Sequence, residues 1–161
     1  MTRKIEIPKD GEICPKHAIE LASNCDRLSI QVTSLGKDIE KLIPDGSDPM
    51  LINLRDKFFS KYLGITSGHL KRTATEIKKF VFGEIDNKDE SWRKLSSDSQ
   101  RLGFFAHFML NEIEALIPED SEELQKLKSE NFRRILLTST GVLKTISTAI
   151  RLNKISKSEG G

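Results

Sequence analysis

The chain has 161 residues, 31% of them charged and 37% hydrophobic, a balance typical of one soluble helical domain. A formal net charge of +2 is too small to predict a nucleic-acid or membrane partner from composition alone. The longest apolar run, at 102–110, is about half the ~18 residues of a membrane-spanning helix, and the N-terminus does not resemble a signal peptide. With only two cysteines no disulfide framework is expected, so we expect a cytoplasmic protein.

The chain is expected to form a single helical domain over 14–155, with a flexible arm over 1–13 and a disordered tail over 156–161. The first predicted helix begins at Pro15 and stops before Pro44, which lacks the N–H needed to extend a helix. Its apolar residues alternate three and four positions apart, which keeps one stripe facing a partner helix. This stripe consists of Ala18, Leu21, Cys25, Leu28, Val32, Leu35, Ile39 and Leu42.

A second helix follows a short turn, so we expect it to run antiparallel to the first. Ser47 and Asp48 suit the N-cap position, where a side-chain oxygen accepts a hydrogen bond from a free N–H of the first turn. The apolar stripe of this helix consists of Phe59, Leu63, Thr66, Leu70 and Ile77. The polar, turn-rich segment at 83–91 is the expected linker to the second half of the chain.

The second half predicts another pair of helices, the third ending before Pro118 and the fourth capped by Asp120 and Ser121. Phe105 and Phe108 are expected to widen the stripe of the third helix. That stripe consists of Leu95, Leu102, Ala106, Met109, Ile113 and Leu116. The stripe of the fourth helix consists of Phe132, Leu136, Ser139, Leu143 and Ile150.

The two halves resemble each other in sequence. DIEKLIPDGSD at 38–48 is echoed by EIEALIPEDSE at 112–122, and the matching of apolar positions extends over some 45 residues. This pattern predicts two homologous helical hairpins, at about 16–82 and 89–155. Because neither hairpin can bury its stripe alone, we expect an all-α, antiparallel four-helix bundle.

Small hydroxyl residues and glycine occur in the middle of the second and fourth helices, in TSGHLK at 66–71 and TSTGVLK at 138–144. They fit a polar ligand site at the centre of the bundle. They also fit a close approach of helices, with hydroxyls bonded to the backbone.

His69 stands beside the basic pair Lys71 and Arg72. A histidine on a bundle helix with basic neighbours resembles the histidine phosphotransfer domains. That resemblance implies an exposed imidazole that accepts a phosphoryl group. The repeat aligns His69 with Val142, which instead indicates a packing position.

Arg101 and His107 form an Arg-x5-His pattern that resembles the short signature of the HEPN family of helical-bundle proteins. The resemblance implies a metal-independent ribonuclease in which Arg101 stabilises phosphate charge and His107 acts as an acid or base. On a continuous helix these two residues point about 120° apart. The repeat aligns Arg101 with Arg27, which suggests a structural role.

Cys14, His17 and Cys25 are potential metal ligands, but no fourth ligand stands near them and Cys25 belongs to an apolar stripe. We therefore expect no metal. The chain also lacks the short motifs of common catalytic and phosphate-binding sites, so we expect no cofactor.

Basic residues concentrate in the fourth helix and beyond it, where six bases stand against the single acid Glu159 between 133 and 161. Such a basic helix predicts nucleic-acid binding through phosphates. It is equally typical of a helix C-terminus, where cations complement the helix dipole. The candidate binding residues are Arg133, Arg134, Lys144, Arg151 and Lys154.

Because the chain has no strong catalytic signature, the leading hypothesis is a non-catalytic protein–protein interaction module. It would act as an accessory or adaptor subunit, with a protein partner or by self-association. Leu137 and Ile155 fall outside the predicted stripes and are candidates for a contact patch. Nucleic-acid binding, an HEPN-like ribonuclease and phosphotransfer are the alternatives.

Overall fold

The computed structural model describes residues 12–116 and 122–158, which form four helical rods. Rods two and four are each continuous, with a π-helical segment inside. Rod one is helix α1, Pro15–Leu42, and rod three is α4, Glu90–Leu116. Rod two comprises α2 (Pro49–Asn53), the π-helical segment Leu54–Phe59 and α3 (Ser60–Val81). Rod four comprises α5 (Glu122–Leu127), the π-helical segment Lys128–Arg133 and α6 (Arg134–Arg151).

The rods pack as a closed ring around one core. α1 packs on α3 and α4 packs on α6, which are the two predicted hairpins. α3 then contacts α4, and α1 contacts α6, so that each rod has two neighbours. The predicted all-α four-helix bundle is therefore confirmed, while the common origin of its two hairpins stays a prediction.

The turns follow the local sequence. α1 ends at Leu42, just ahead of Pro44, and Asp48 caps α2 by accepting a hydrogen bond from the Met50 N–H at 2.9 Å. Arg55 braces this turn by donating to the Ile43 carbonyl at 2.8 Å. The turn predicted at Pro118, Asp120 and Ser121 lies outside the described residues.

The linker begins where α3 ends, because Gly83 has a φ of +78°, a conformation that glycine adopts without strain. There the Glu84 N–H reaches back to the Lys79 carbonyl at 2.8 Å and closes the last turn. Asp89 opens α4 by accepting the Ser91 N–H at 3.1 Å. The Ser91 hydroxyl, which donates to the same carboxylate at 2.7 Å, and then the Ser91 N–H lower the pKa of Asp89, because they favour its ionised form.

Each hairpin buries a large aromatic ring at the end of its π-helical segment, Phe59 in one and Phe132 in the other. Towards the opposite end of the bundle, Phe80 and Trp92 stack with their ring centres 4.4 Å apart. A fully buried ring of this size contributes about 2–3 kcal/mol of transfer free energy.

Serines form hydrogen bonds between the two helices of each hairpin. The hydroxyls of Ser29 and Ser67 each donate to the other residue's carbonyl, at 2.9 and 3.0 Å. In the second hairpin the Ser96 hydroxyl donates to the Ser147 carbonyl at 2.7 Å. In the mid-helix patch of rod four, the Ser139 and Thr140 hydroxyls donate to the backbone carbonyls of Ile135 and Leu136 at 2.8 and 2.9 Å.

The chain segments that flank the helices meet each other. Ile13 donates its N–H to the Lys154 carbonyl at 2.6 Å and accepts from the Ser156 N–H at 2.9 Å. Ile13 and Ile155 are both buried, so Ile155 does not contribute to an exposed patch. Residues 1–11 of the expected arm (1–13) and residues 159–161 of the expected tail (156–161) lie outside the described residues. Within the described part of the tail, the Ser158 N–H donates to the Val81 carbonyl at 2.6 Å.

None of the described helices combines the length and the apolar character required to cross a bilayer.

Candidate functional site

The largest exposed aromatic side chains at the middle of the bundle lie together on α4. Phe104 is 61% exposed and Phe108 is 49% exposed, and Ile65 on the neighbouring α3 is 45% exposed. Phe108 was expected within the buried stripe, but it projects outward instead. A shallow groove of about 700 Å³ follows this side of α4. We call this surface the Phe104 face; its groove is lined by Ser97, Gln100, Arg101, Phe104, Phe105, His107, Phe108 and Asn111.

An aromatic cluster supports the Phe104 face from beneath. The ring centre of Phe108 lies 5.8 Å from that of Phe58, which lies 5.0 Å from that of Tyr62. Tyr62 stacks on Phe105 at 4.5 Å. Because these rings join rod two to α4, the exposed ring of Phe108 is held on a packed base, which reduces the entropy lost when a partner binds.

Cations border the Phe104 face on two sides. Lys144 of α6 holds its ammonium group 5.9 Å from the centre of the Phe104 ring, within the range of a cation–π interaction. On the α3 side, Arg101 donates to the Asp98 carboxylate at 2.8 Å, while Arg72 lies 4.0 Å from the other oxygen of the same carboxylate. Two cations therefore share one anion there.

A cleft of about 440 Å³ between α3 and α4 lies beside this ion cluster and has His69 in its wall. His69 is only 2% exposed. Its Nε2 lies 2.8 Å from the Ser99 hydroxyl and its Nδ1 lies 3.1 Å from an Arg72 nitrogen. Because an arginine can only donate, Nδ1 must accept, so Nε2 carries the proton and donates to Ser99.

Burial, followed by the repulsion of Arg72, lowers the pKa of His69 to about 4. Asp98 opposes that shift, and Arg101 adds to it. The imidazole is therefore neutral at physiological pH.

This geometry does not favour phosphotransfer at His69. A phosphoryl acceptor needs a free and exposed ring nitrogen, whereas both nitrogens of His69 are engaged and the ring is buried.

Arg101 and His107, the residues of the HEPN resemblance, are both exposed and both line the groove of the Phe104 face. They are six positions apart on the uninterrupted helix α4, so they follow the groove at separate turns. The guanidinium of Arg101 is held at Asp98, on the α3 side. The structure brings Arg101 together with His69 and Asp98 rather than with His107.

The candidate basic residues are spread along rod four. Arg133 and Arg151 are separated by about 27 Å of helix, at 1.5 Å per residue. Arg134 donates to the Glu130 carbonyl at 2.8 Å, and Lys144 belongs to the border of the Phe104 face. They do not form one compact patch.

Two of these bases have other structural roles. Arg133 lies 3.7 Å from a Glu114 oxygen. Lys154 contributes its backbone carbonyl, which accepts the Ile13 N–H, and this bond leaves its ammonium group uninvolved.

The two cysteines occupy different surroundings. Cys25 is buried in the core, where burial, together with the nearby Asp26, raises the pKa of its thiol to about 12, so it stays protonated. Cys14 is exposed. Among the described residues no group of three potential ligands could hold a metal ion.

Phe104, the most exposed aromatic side chain, was not predicted from the sequence, and neither were Asp98 and Ser99. One signal was available: the repeat aligns Phe104 and Phe108 with Ile30 and Ser34, so the aromatic rings belong to the second hairpin alone. The exposure of Phe104 could not be predicted from the pattern of one helix, because it depends on where the neighbouring rods lie.

Comparison with known proteins identifies no relative: no model of a protein family, no curated protein and no solved structure matches this chain. The class that the fold and the site define is an all-α four-helix bundle with one exposed aromatic face. Its function has to be inferred from that face.

Proposed function

We propose that this protein is a non-catalytic protein–protein interaction module, and that the Phe104 face is its contact surface. The observation that carries the proposal is the exposure of Phe104 and Phe108 side by side on α4, with Phe108 packed on the aromatic ring of Phe58. Exposing two neighbouring phenylalanine rings to water is unfavourable, and contiguous apolar patches of this kind mark interaction sites.

The composition of the face supports a protein partner. Aromatic residues and arginine are enriched at interface hot spots, where a few rings in a desolvated centre contribute most of the binding free energy. Here the rings of Phe104 and Phe108 are at the centre, and Arg101 and Lys144 are at the rim.

Replacing both rings by a small polar residue is expected to abolish partner binding. We predict that the Phe104→Ser/Phe108→Ser variant, tagged and purified from the native host, loses its co-purifying protein by at least about thirtyfold, since one hot-spot residue contributes about 2 kcal/mol or more. The measurement is quantitative mass spectrometry of the purified material, counting an untagged copy of the chain as a possible partner.

The matched control is the Ile30→Ser/Phe82→Ser variant, which removes two exposed apolar side chains outside the Phe104 face. It should keep the wild-type partner. Equal recovery of the same protein by both variants would contradict the proposal.

Nucleic-acid binding is the alternative outcome of this experiment. It would appear as RNA or DNA, without a stoichiometric protein, whose recovery falls steeply with salt and on reversing the charges of Arg133, Arg134 and Arg151. An HEPN-like ribonuclease would in addition lose cleavage in His107→Ala.

A further inference from the structure

We infer that the partner on the Phe104 face is a second copy of this chain, docked through an antiparallel pairing of α4 with α4 about a two-fold axis. This inference rests on the proposed function, because it names the occupant of the same surface.

On the exposed side of α4, a base precedes the two exposed rings and an acid follows them. Arg101 and Glu112 are both exposed, and the rings of Phe104 and Phe108 stand between them along the helix. The two charged residues are eleven positions apart, which on an α-helix is about 20° around the axis and about 16 Å along it. Base, rings and acid therefore form one short stripe.

Such a stripe is complementary to the same stripe of a second copy that runs in the opposite direction. In a two-fold dimer, a residue that contacts a second position of the partner is contacted in turn by that position. An axis that crosses α4 between residues 106 and 107 brings Arg101 next to Glu112 of the second copy, and Glu112 next to Arg101 of the second copy. This two-fold axis places the α3 side of one copy's α4 next to the α3 side of the other copy's α4. Both ion pairs therefore form on the α3 side.

The aromatic rings meet at the centre of that arrangement. The midpoint of Phe104 and Phe108 is residue 106, which nearly coincides with the midpoint of Arg101 and Glu112. Four exposed rings, two from each copy, thus become buried between two ion pairs. An interface of this kind has the apolar core and charged rim of known protein–protein interfaces.

The charges also specify the direction of pairing. A parallel two-fold pairing of α4 would place Arg101 against Arg101 and Glu112 against Glu112, and like charges in contact are unfavourable. Only the antiparallel arrangement places each Arg101 next to a Glu112 of the other copy.

Within each copy, the ion pair that Arg101 makes with Asp98 does not fully neutralise the local positive charge. Arg101 shares the Asp98 carboxylate with Arg72, so one anion serves two cations.

The first hairpin supplies an internal comparison. The repeat aligns the stripe of α4 with Arg27, Ile30, Ser34 and Asp38 of α1, which keeps the two charges and lacks the rings. Asp38 there already accepts a hydrogen bond from Asn131 at 2.9 Å. Arg27 is therefore a matched control for Arg101.

The test is a charge swap in the full chain, measured by sedimentation velocity over a concentration series at low salt. We expect wild type to dimerise, and Arg101→Glu and Glu112→Arg each to raise the dimer Kd by about tenfold, because either change makes both ion pairs repulsive. The double variant should restore the Kd to within about threefold of wild type. Arg27→Glu, which changes the net charge equally, should leave it unaltered.

Glu112→Arg is the more direct of the two single variants, because Arg101→Glu also removes the ion pair with Asp98. Unchanged thermal unfolding of each variant excludes a folding defect.

A wild-type chain that stays monomeric at about 100 µM, or a double variant that dimerises no better than the singles, would overturn the inference. The proposed function would survive that result if Phe104→Ser/Phe108→Ser still loses a different protein in the pull-down. If that variant loses nothing, both fail.

Discussion

At the scale of single residues, the protonation of His69 affects the stability of the whole fold. It is buried against Ser99 and Arg72, and its pKa is lowered to about 4, mainly by burial. A proton on this ring would leave a charge with little water around it, and it would remove the acceptor that Nδ1 offers to Arg72.

The pH dependence of stability follows from this shift. An unfolded histidine has a pKa of about 6.5, so the unfolded chain takes up a proton that the folded chain refuses until about pH 4. The free energy of unfolding therefore falls as the pH drops from about 6.5 to about 4, by roughly 3 kcal/mol in total. Chemical denaturation of wild type and His69→Gln across this range should show a weaker pH dependence in the variant.

His107→Gln provides the control, because it removes an exposed histidine of the same helical bundle. Its unfolding should follow the wild-type pH dependence. If the free energy of unfolding of His69→Gln has the same pH dependence as wild type, the prediction that the neutral imidazole stabilises the fold is wrong.

At the scale of helices, Gly103 of α4 packs directly against α6. A Cβ at Gly103 would lie 3.6 Å from the Leu143 Cβ and 3.7 Å from the Thr140 carbonyl oxygen, which are ordinary van der Waals distances. The contact therefore has room for one methyl group and for little more.

We accordingly predict that Gly103→Ala raises the free energy of unfolding by about 0.5–1 kcal/mol, because alanine loses less backbone entropy in a helix. Gly103→Leu should lower it by about 1–3 kcal/mol, because its larger side chain must push α4 and α6 apart. Urea denaturation measures both changes. Gly36→Ala, on α1 with no atom near its Cβ, is the control and should stabilise by the same amount as Gly103→Ala.

The sequence predicted the helices more accurately than the exposure and the contacts of their side chains. The spacing of the apolar residues defined α1 and its 28 residues, since periodicity is a property of one helix and Pro44 ends it locally. Phe108 was placed in the buried stripe although it is half exposed, because the edge of a stripe depends on the angle at which the next helix packs. His69 was correctly suspected to be a packing residue from its alignment with Val142, but its partner Ser99 is thirty positions away and had no local signal.

At the scale of the whole molecule, the ring of four rods was predictable because two short hairpins with one apolar stripe each have few other ways to bury them. The Phe104 face was not, because it forms from side chains of α3 and α4 that become neighbours only when the hairpins pack. The burial of Ile155 also depends on a distant segment: it was expected on the surface, but Ile13 packs against it.

The contact between Ile13 and Ile155 has a consequence for chain connectivity. Because Ile13 is hydrogen-bonded to both residues that flank Ile155, a short glycine-rich bridge between the two segments would leave the bundle undisturbed. The chain could be opened instead in the exposed turn between Gly83 and Asp89. We expect such a circular permutant, in which the second hairpin precedes the first, to fold with wild-type circular dichroism and nearly wild-type stability. The order in which the hairpins are synthesised would then be separable from the way they fit together.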